Sequence, residues 1–176
     1  MIPAQRLGFR VLLAGAFLFP FSTAAFAHTP LRAGMHAPQA VFRSGKRPVS
    51  LAAYHGKKVM LWLFSTWCPS CRAGLKTLPH EQTRFLAGHL HLIILENYEN
   101  GGYPGPSLAT MRNRYAKEIR GQPNWTFGHA TRRLAALYNP KSYPDIFYLI
   151  HRNGIIQTIS SAPTAHLDTI LDFAHG

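Results

Sequence analysis

The chain has 176 residues, of which 47% are hydrophobic and 15% are charged, which fits one globular domain and excludes a disordered chain or a coiled coil. Its 19 Lys and Arg against 7 Asp and Glu give a net charge of +12 with histidine neutral. A basic balance can indicate nucleic-acid binding. Here the positive residues occur singly or in pairs, without zinc-finger spacing, a nucleic-acid-binding helix-turn-helix signature or an aromatic RNA-binding motif. We therefore expect no nucleic-acid partner.

The N-terminus has the three parts of a secretory signal. Arg6 and Arg10 form a positive start, residues 11–21 form an apolar run, and Ala25-Phe26-Ala27 is a small-x-small cleavage site. This pattern predicts export. If the host is a Gram-negative bacterium, the destination is the periplasm, where thiols meet an oxidising environment.

A retained membrane anchor is the alternative interpretation of this segment. Residues 7–27 are mostly apolar and long enough to span a bilayer. Pro20 and the short uninterrupted apolar core favour cleavage instead. We predict a signal peptide over 1–27 and a mature domain over 28–176, with a membrane-anchored protein facing the periplasm as the alternative.

Apolar runs, cap residues and turn residues predict the remaining elements in chain order. The first half should contain short strands at 40–42 and 49–51, a buried strand at 59–64, a helix over 68–87 kinked by Pro79, and a strand at 90–95. After a loop at 97–106, the second half should contain a helix from Ser107 to Arg120, a loop or short strand at 123–128, a helix from Thr131 to Tyr138, a hairpin of strands 145–150 and 155–159, and a helix capped by Thr164. Strands 59–64 and 90–95, joined by a helix, should be parallel, and the hairpin should add an antiparallel edge.

The most informative stretch is Trp67-Cys68-Pro69-Ser70-Cys71, which holds the two cysteines of the chain. It follows a buried strand and opens a helix, which is the context that a redox Cys-x-x-Cys requires. The spacing places both sulfurs on one helix face, within reach of a disulfide. Cys68 lies at the helix N-terminus, where unpaired N–H groups and the helix dipole favour a thiolate. We predict a reversible redox pair in which Cys68 attacks a partner disulfide and Cys71 resolves the mixed disulfide.

Other roles for the cysteines fit less well. A structural disulfide at this spacing would close almost no loop and would constrain the unfolded chain little. Covalent haem attachment needs a histidine after the second cysteine, and Arg72 stands there. A metal site formed by both cysteines and a distant histidine stays open as an alternative, but we predict neither a cofactor nor a metal.

With these motifs the sequence resembles the thioredoxin-like proteins, specifically the exported thiol–disulfide oxidoreductases of the TlpA/ResA/DsbE kind. The resemblance covers residues 34–174 and rests on the segment 49–58, the motif 67–71, and Tyr143-Pro144 leading into the predicted hairpin. It implies an α/β fold: a thioredoxin-like central mixed sheet flanked by helices, with a short N-terminal strand extension and an inserted loop-helix segment. The implied partners are protein thiols and disulfides, together with an unidentified redox partner protein.

The resemblance also implies substrate-binding residues. Pro144 would be cis and stand beside the disulfide, although it could also be an ordinary loop proline. Tyr143 would offer its backbone to an extended substrate segment, as in strand addition. Trp67 would cover the sulfurs or, equally, pack on the strand end.

The sequence lacks the acidic residues that proteins of this kind carry near the two cysteines. Thioredoxins carry a buried Asp six residues before the first cysteine, and Trp62 stands there. TlpA-like reductases often carry a Glu three residues after the second cysteine, and Gly74 stands there. The group that usually takes a proton from the resolving thiol is therefore missing from both places. We expect water or a carboxylate from elsewhere to replace it, the nearest in sequence being Glu81, Glu96 and Glu99.

The predicted function is the reduction or exchange of disulfides in partner proteins, with the reduction of apocytochrome c thiols as a narrower version. The segment 97–128 would be an insertion that shapes partner choice. A peroxiredoxin-like peroxidase is one alternative, since Ser65 precedes Cys68 by three residues, but Leu61 stands where a proline is expected. The other alternative is a non-catalytic module that binds copper or a partner, although Sco-like copper proteins use a longer cysteine spacing with a histidine.

Overall fold

A computed structural model describes residues 30–176; the predicted signal peptide, 1–27, lies outside the described residues. The strands in the described part are β1 Val41–Ser44, β2 Arg47–Ser50, β3 Lys58–Phe64, β4 Leu90–Glu96, β5 Trp125–Ala130, β6 Asp145–Ile150 and β7 Ile156–Ser160. The α-helices are α1 Pro69–Thr77, α2 Gln82–Ala87, α3 Leu108–Tyr115, α4 Arg132–Tyr138 and α5 Leu167–His175. Short 3-10 turns lie at Leu51–Tyr54, Leu78–Glu81, Tyr98–Gly102 and Pro163–His166.

The strands of residues 30–176 form one mixed sheet in the order β2-β1-β5-β4-β3-β6-β7. The three central strands β5, β4 and β3 are parallel, while β1 and β6 run antiparallel to their neighbours. At the end of β3, Phe64 is paired with Glu96 of β4 on one side and with Asp145 of β6 on the other. The chain therefore leaves β3 for α1 at the point where β6 begins. None of the helices in the described residues is both long enough and apolar enough to cross a membrane.

Helices cover both faces of the sheet, which explains the continuous apolar run of β3. Met60, Trp62 and Phe64 belong to a core with residues of α1, α2, α3 and α5. Leu61 and Leu63 belong to a second core with residues of α4 and β1. The predicted thioredoxin-like arrangement is confirmed, including the parallel β3–β4 pair and the antiparallel edge hairpin.

Two predicted helix boundaries are wrong. The helix from Ser107 ends at Tyr115 instead of Arg120, because Ala116 leaves helical geometry at φ −139° and a run of turns follows. Ala116 and Ile119 are both buried in the first core, so these turns reach the core without a continued helix. Thr164 does not cap the last helix, since it lies inside a 3-10 turn that precedes α5.

The undecided segment 123–128 contains a strand, β5, that runs from 125 to 130. Pairing with β4 and β1 on its two sides holds it extended. Gly128 permits the close approach of β1, because a Cβ atom there would lie 2.4 Å from the carbonyl oxygen of Arg43 and 3.0 Å from the ring of Phe42.

We expect Gly128→Ala to lower the free energy of unfolding by about 1–3 kcal/mol, since the added methyl group must push β1 away. Urea denaturation would measure the change. Gln157→Ala, on the exposed side of edge strand β7, is the control and should stay within about 0.5 kcal/mol of the wild type. Equal effects at the two positions would contradict this account of the β1–β5 contact.

Candidate active site

The Cys-x-x-Cys motif lies at the junction of β3 and α1. Cys68 is the N-cap of α1, with extended φ −75° and ψ 128°, and Pro69 takes the first helical position, where no N–H group is needed. Cys71 lies within the first turn. Both cysteines are free and buried, with exposures of 3% and 0%. The predicted placement of the motif at a helix start is confirmed.

The two sulfurs meet a carboxylate. The Sγ atoms of Cys68 and Cys71 and a carboxylate oxygen of Asp145 all lie within 4.8 Å of one another. The thiol of Cys71 donates a hydrogen bond to the carbonyl oxygen of Pro144 at 3.3 Å. This arrangement is a dithiol that can close to a disulfide, with a proton acceptor beside it.

Asp145 is the first residue of β6 and is 6% exposed. Its Oδ1 accepts a hydrogen bond from the indole Nε1 of Trp62 at 2.8 Å, and its Oδ2 accepts one from the hydroxyl of Ser70 at 2.7 Å. The same hydroxyl lies 3.0 Å from the sulfur of Cys68. Sequence reasoning missed both Asp145 and Ser70. The available signal was an acidic residue at the start of an otherwise apolar strand, directly after Pro144.

Trp62 and Gly74 explain why the carboxylate is not in its usual places. Trp62 fills the region under α1 with its indole ring and is fully buried. A Cβ atom on Gly74 would lie 2.7 Å from the ring atom Cη2 of Trp62, so a larger residue at that helix position would require the indole to shift. The carboxylate beside the sulfurs is that of Asp145, on the neighbouring strand β6.

The three glutamates nominated from the sequence are elsewhere. Glu81 pairs with Arg84 at 3.3 Å on the surface, Glu96 pairs with His129 at 3.4 Å, and Glu99 is exposed. Proximity in sequence pointed to the wrong groups because the turn before β6, distant in the chain, returns to the end of β3.

The surroundings of Cys71 raise the pKa of its thiol, so the thiol keeps its proton. Burial raises the pKa of the Cys71 thiol well above its ordinary value, and the charges of Asp145 and Cys68 act in the same direction. A backbone hydrogen bond from Ser65 opposes this rise in pKa. Cys71 therefore needs a nearby proton acceptor before it can attack.

The expected cis bond at Pro144 is wrong, because every peptide bond in residues 30–176 is trans. The turn before β6 is instead shaped by Ser142, whose φ is +52°. The side chain of Asn139 makes two hydrogen bonds to the backbone of Tyr143. It accepts from the N–H group at 2.8 Å and donates to the carbonyl oxygen at 2.8 Å. Asn97 donates to the same carbonyl at 3.1 Å. Pro144 is placed beside Cys71 by this turn, without a cis bond.

These bonds change what Tyr143 can offer a substrate. Its backbone N–H and carbonyl groups are both bonded within the chain, so the expected backbone pairing with an extended segment has no free donor at Tyr143. Tyr143 as a whole is 47% exposed. The side chain lines a groove of about 440 Å³ formed by Ser70, residues 143–146 and residues 159–161. The groove thus borders the carboxylate and the helix start.

A loop holds Trp67 from the other side. The indole Nε1 of Trp67 donates to the carbonyl oxygen of Asn100 at 2.8 Å, and its ring meets Tyr103 edge-on with centroids 5.1 Å apart. The side chain of Asn100 accepts from the N–H of Thr66 at 2.8 Å and donates to its hydroxyl at 3.0 Å. Asn100 has φ +53° and lies between two other left-handed residues. The loop at 97–106 therefore forms part of the site.

The raised pKa of Cys71 predicts a pH-dependent stability. Unfolded Cys71 would lose its proton above about pH 9, whereas the folded thiol keeps it, so the stabilising contribution of this proton is lost as the pH rises above that value. Denaturation of the fully reduced protein should show this loss relative to Cys71→Ser, with a slope approaching about 1.4 kcal/mol per pH unit. Parallel stability curves for the two proteins between pH 8 and 10.5 would contradict the described environment.

No family model matches the chain. A Haemophilus influenzae protein, described as uncharacterized, is 40% identical over 63 residues, which are 36% of this chain and 37% of that protein. A Chlorobium tepidum structure described as a thiol:disulfide interchange protein DsbE has a TM-score of 0.65 at 19% identity and covers 83% of this chain and 99% of its own.

Two further structures have the same fold. A secreted Mycobacterium tuberculosis disulfide oxidoreductase, described as homologous to DsbE, has a TM-score of 0.53 at 22% identity and covers 77% of this chain and 92% of its own. BsSco, of the Sco family of cytochrome c oxidase assembly proteins, has a TM-score of 0.56 at 16% identity, covering 81% and 94%. The comparisons and the strand order together establish that this chain has the thioredoxin-like fold that its sequence resemblance implies.

Proposed function

We propose that the protein is a thiol–disulfide oxidoreductase that acts on protein cysteines through a reversible Cys68–Cys71 disulfide. The observation that carries the proposal is the pair of free sulfurs at the start of α1, within 4.8 Å of a buried carboxylate. The similarity to structures named as thiol:disulfide interchange proteins supports it.

Cys68 is the attacking residue. It is the N-cap of α1, at the positive end of the helix dipole, and its sulfur lies 3.0 Å from the hydroxyl of Ser70. The thiol of Cys71 donates a hydrogen bond to the carbonyl oxygen of Pro144, and its raised pKa means that it keeps its proton. Cys68 would form a mixed disulfide and release one partner thiol, and Cys71 would then attack Cys68 and release the other. Two electrons and two protons pass to the partner disulfide.

Partner contacts are expected on both sides of the cysteines. Trp67, Tyr143 and Pro144 are the proposed substrate-binding residues. The half-buried Trp67 and the exposed Tyr103 form an aromatic surface on one side, and the groove beside Tyr143 lies on the other. The loop at 97–106 contributes to partner choice by holding Trp67.

The proposed location is outside the cytoplasm, and in a Gram-negative host it is the periplasm. The signal-like sequence of residues 1–27 supports export, and a membrane-anchored form facing the periplasm is the alternative. One similar structure is described as secreted. Reduction of apocytochrome c thiols is the narrower substrate proposal. No nucleic-acid partner is proposed.

Trapping tests the function. Cys71→Ala should accumulate mixed disulfides through Cys68, because the resolving thiol is gone. Non-reducing electrophoresis followed by mass spectrometry would identify the captured proteins. The double variant Cys68→Ala/Cys71→Ala is the matched control and should capture none. The proposal fails if the wild type, equilibrated with glutathione, neither forms nor loses a Cys68–Cys71 disulfide.

Metal binding is the second candidate function, since three possible ligands converge at Cys68, Cys71 and Asp145. Thiolates select Cu⁺, but a carboxylate is a poor ligand for it, and both oxygens of Asp145 already accept hydrogen bonds. We therefore place redox exchange first. The peroxidase alternative has no such support, because the hydroxyl of Ser65 is fully buried and accepts from Asn97.

Anaerobic titration of the reduced protein with Cu⁺, in competition with bicinchoninate, separates the two candidates. We expect the chelator to remove the metal, because Cu⁺ would need both cysteines as thiolates and burial raises the pKa of the Cys71 thiol. A single copper retained against excess chelator by the wild type, and lost in Cys71→Ser, would favour the metal-binding function.

A further inference from the structure

The Ser70 hydroxyl bridges the attacking cysteine and the buried carboxylate. It lies 3.0 Å from the sulfur of Cys68 and 2.7 Å from Oδ2 of Asp145. A serine hydroxyl carries one proton, and an ionised carboxylate can only accept. The Ser70 proton therefore points to Asp145, and the free lone pair of its oxygen faces the Cys68 thiol. Thiol, hydroxyl and carboxylate form one directed chain of hydrogen bonds.

We propose that Ser70 and Asp145 form a proton relay that takes the proton from Cys68 as this residue attacks. This inference rests on the proposed oxidoreductase function and deepens it. The Cys68 proton passes to the oxygen of Ser70 while the Ser70 proton passes to Oδ2 of Asp145. The product is a thiolate that receives a hydrogen bond from Ser70, next to a neutral Asp145.

The remaining steps conserve protons and electrons. The Cys68 thiolate attacks one sulfur of the partner disulfide, whose S–S bond breaks, and the first leaving thiolate takes the proton back from Asp145 through Ser70. Asp145 is then ionised again and can take the proton of Cys71, which lies beside it. Cys71 attacks the sulfur of Cys68, and the second leaving thiolate takes that proton. One carboxylate thus serves both thiols in turn.

The residues around Ser70 and Asp145 favour proton transfer between them and a thiol. The indole of Trp62 holds Oδ1 of Asp145 at 2.8 Å, which leaves Oδ2 directed at Ser70. Ser70 and Asp145 also line the groove of about 440 Å³, so a leaving thiolate in the groove can reach them. The two cysteines lie beside the relay and Tyr143 lines the same groove; Arg72 and Lys76 are the next basic residues along α1.

The test follows the attack of a single thiol. In a Cys71→Ala background, the rate at which Cys68 cleaves dipyridyl disulfide would be measured between pH 5.5 and 8. With the relay intact, the proton stays within the site, so the rate should change little with pH. Adding Ser70→Ala should make the rate rise about tenfold per pH unit and lower it about tenfold at pH 7, because the proton must then leave to solvent.

Two further variants separate a relay from a merely structural role. Ser70→Thr keeps the hydroxyl and should restore the flat profile. Asp145→Asn keeps the shape and the Trp62 bond and should reproduce the Ser70→Ala profile, with no additional loss when the two are combined, because linked groups act as a unit. Circular dichroism of each variant checks the fold.

The outcomes distinguish this inference from the function on which it rests. An unchanged profile in Ser70→Ala, or effects of Ser70→Ala and Asp145→Asn that multiply, would overturn the relay while the oxidoreductase function stands. If Cys68 in the Cys71→Ala protein forms no mixed disulfide with any protein or with the dipyridyl probe, the proposed function itself fails.

Discussion

The site depends on one buried carboxylate and the two groups that hydrogen-bond to it. A charge removed from water is costly unless hydrogen bonds replace the lost solvation. Trp62 of β3 and Ser70 of α1 provide these bonds to Asp145 of β6. Three elements are thereby fixed relative to one another at the point where the two cysteines lie. The same bonds that solvate the carboxylate also direct it toward the sulfurs.

Asparagine side chains fix the rest of the site. Asn97 and Asn139 are each 4% exposed and bond to each other at 2.9 Å, and both hold the carbonyl group of Tyr143. Asn100 holds Thr66 and Trp67 on the opposite side of the motif. Amide side chains can donate and accept at once, which lets them fix irregular backbone that no strand or helix pairs. These hydrogen bonds within the chain therefore fix the backbone on both sides of the cysteines without any contact from a partner.

Replacement of the usual acidic position by Trp62 has consequences for neighbouring residues. An indole is larger than a carboxylate and occupies the space that a side chain at position 74 would need, which accounts for Gly74. It also brings a donor, Nε1, that fits an acceptor on the adjacent strand. Trp62 therefore links the other two residues, since its ring packs against Gly74 and its Nε1 donates to Asp145.

Local pattern was sufficient for much of the fold. The apolar run of β3, the proline after Cys68 and the Asn-Gly turn between β6 and β7 each determine their own element, because these signals act within a few residues. Local pattern did not predict the elements whose conformation depends on contacts with other parts of the fold. The strand β5 exists because two neighbouring strands pair with it, and α3 stops before Ala116 and Ile119, which are buried in the first core within turns.

The amino-acid sequence by itself determined the helix-start cysteine pair and most of the order of strands and helices along the chain, since spacing and periodicity are properties of neighbouring residues. Tertiary structure alone decided which carboxylate faces the sulfurs and how Pro144 reaches Cys71. Both depend on a contact between the ends of β3 and β6, which lie far apart in the chain. Such a contact is formed by the pairing of the whole sheet, and no local pattern encodes it.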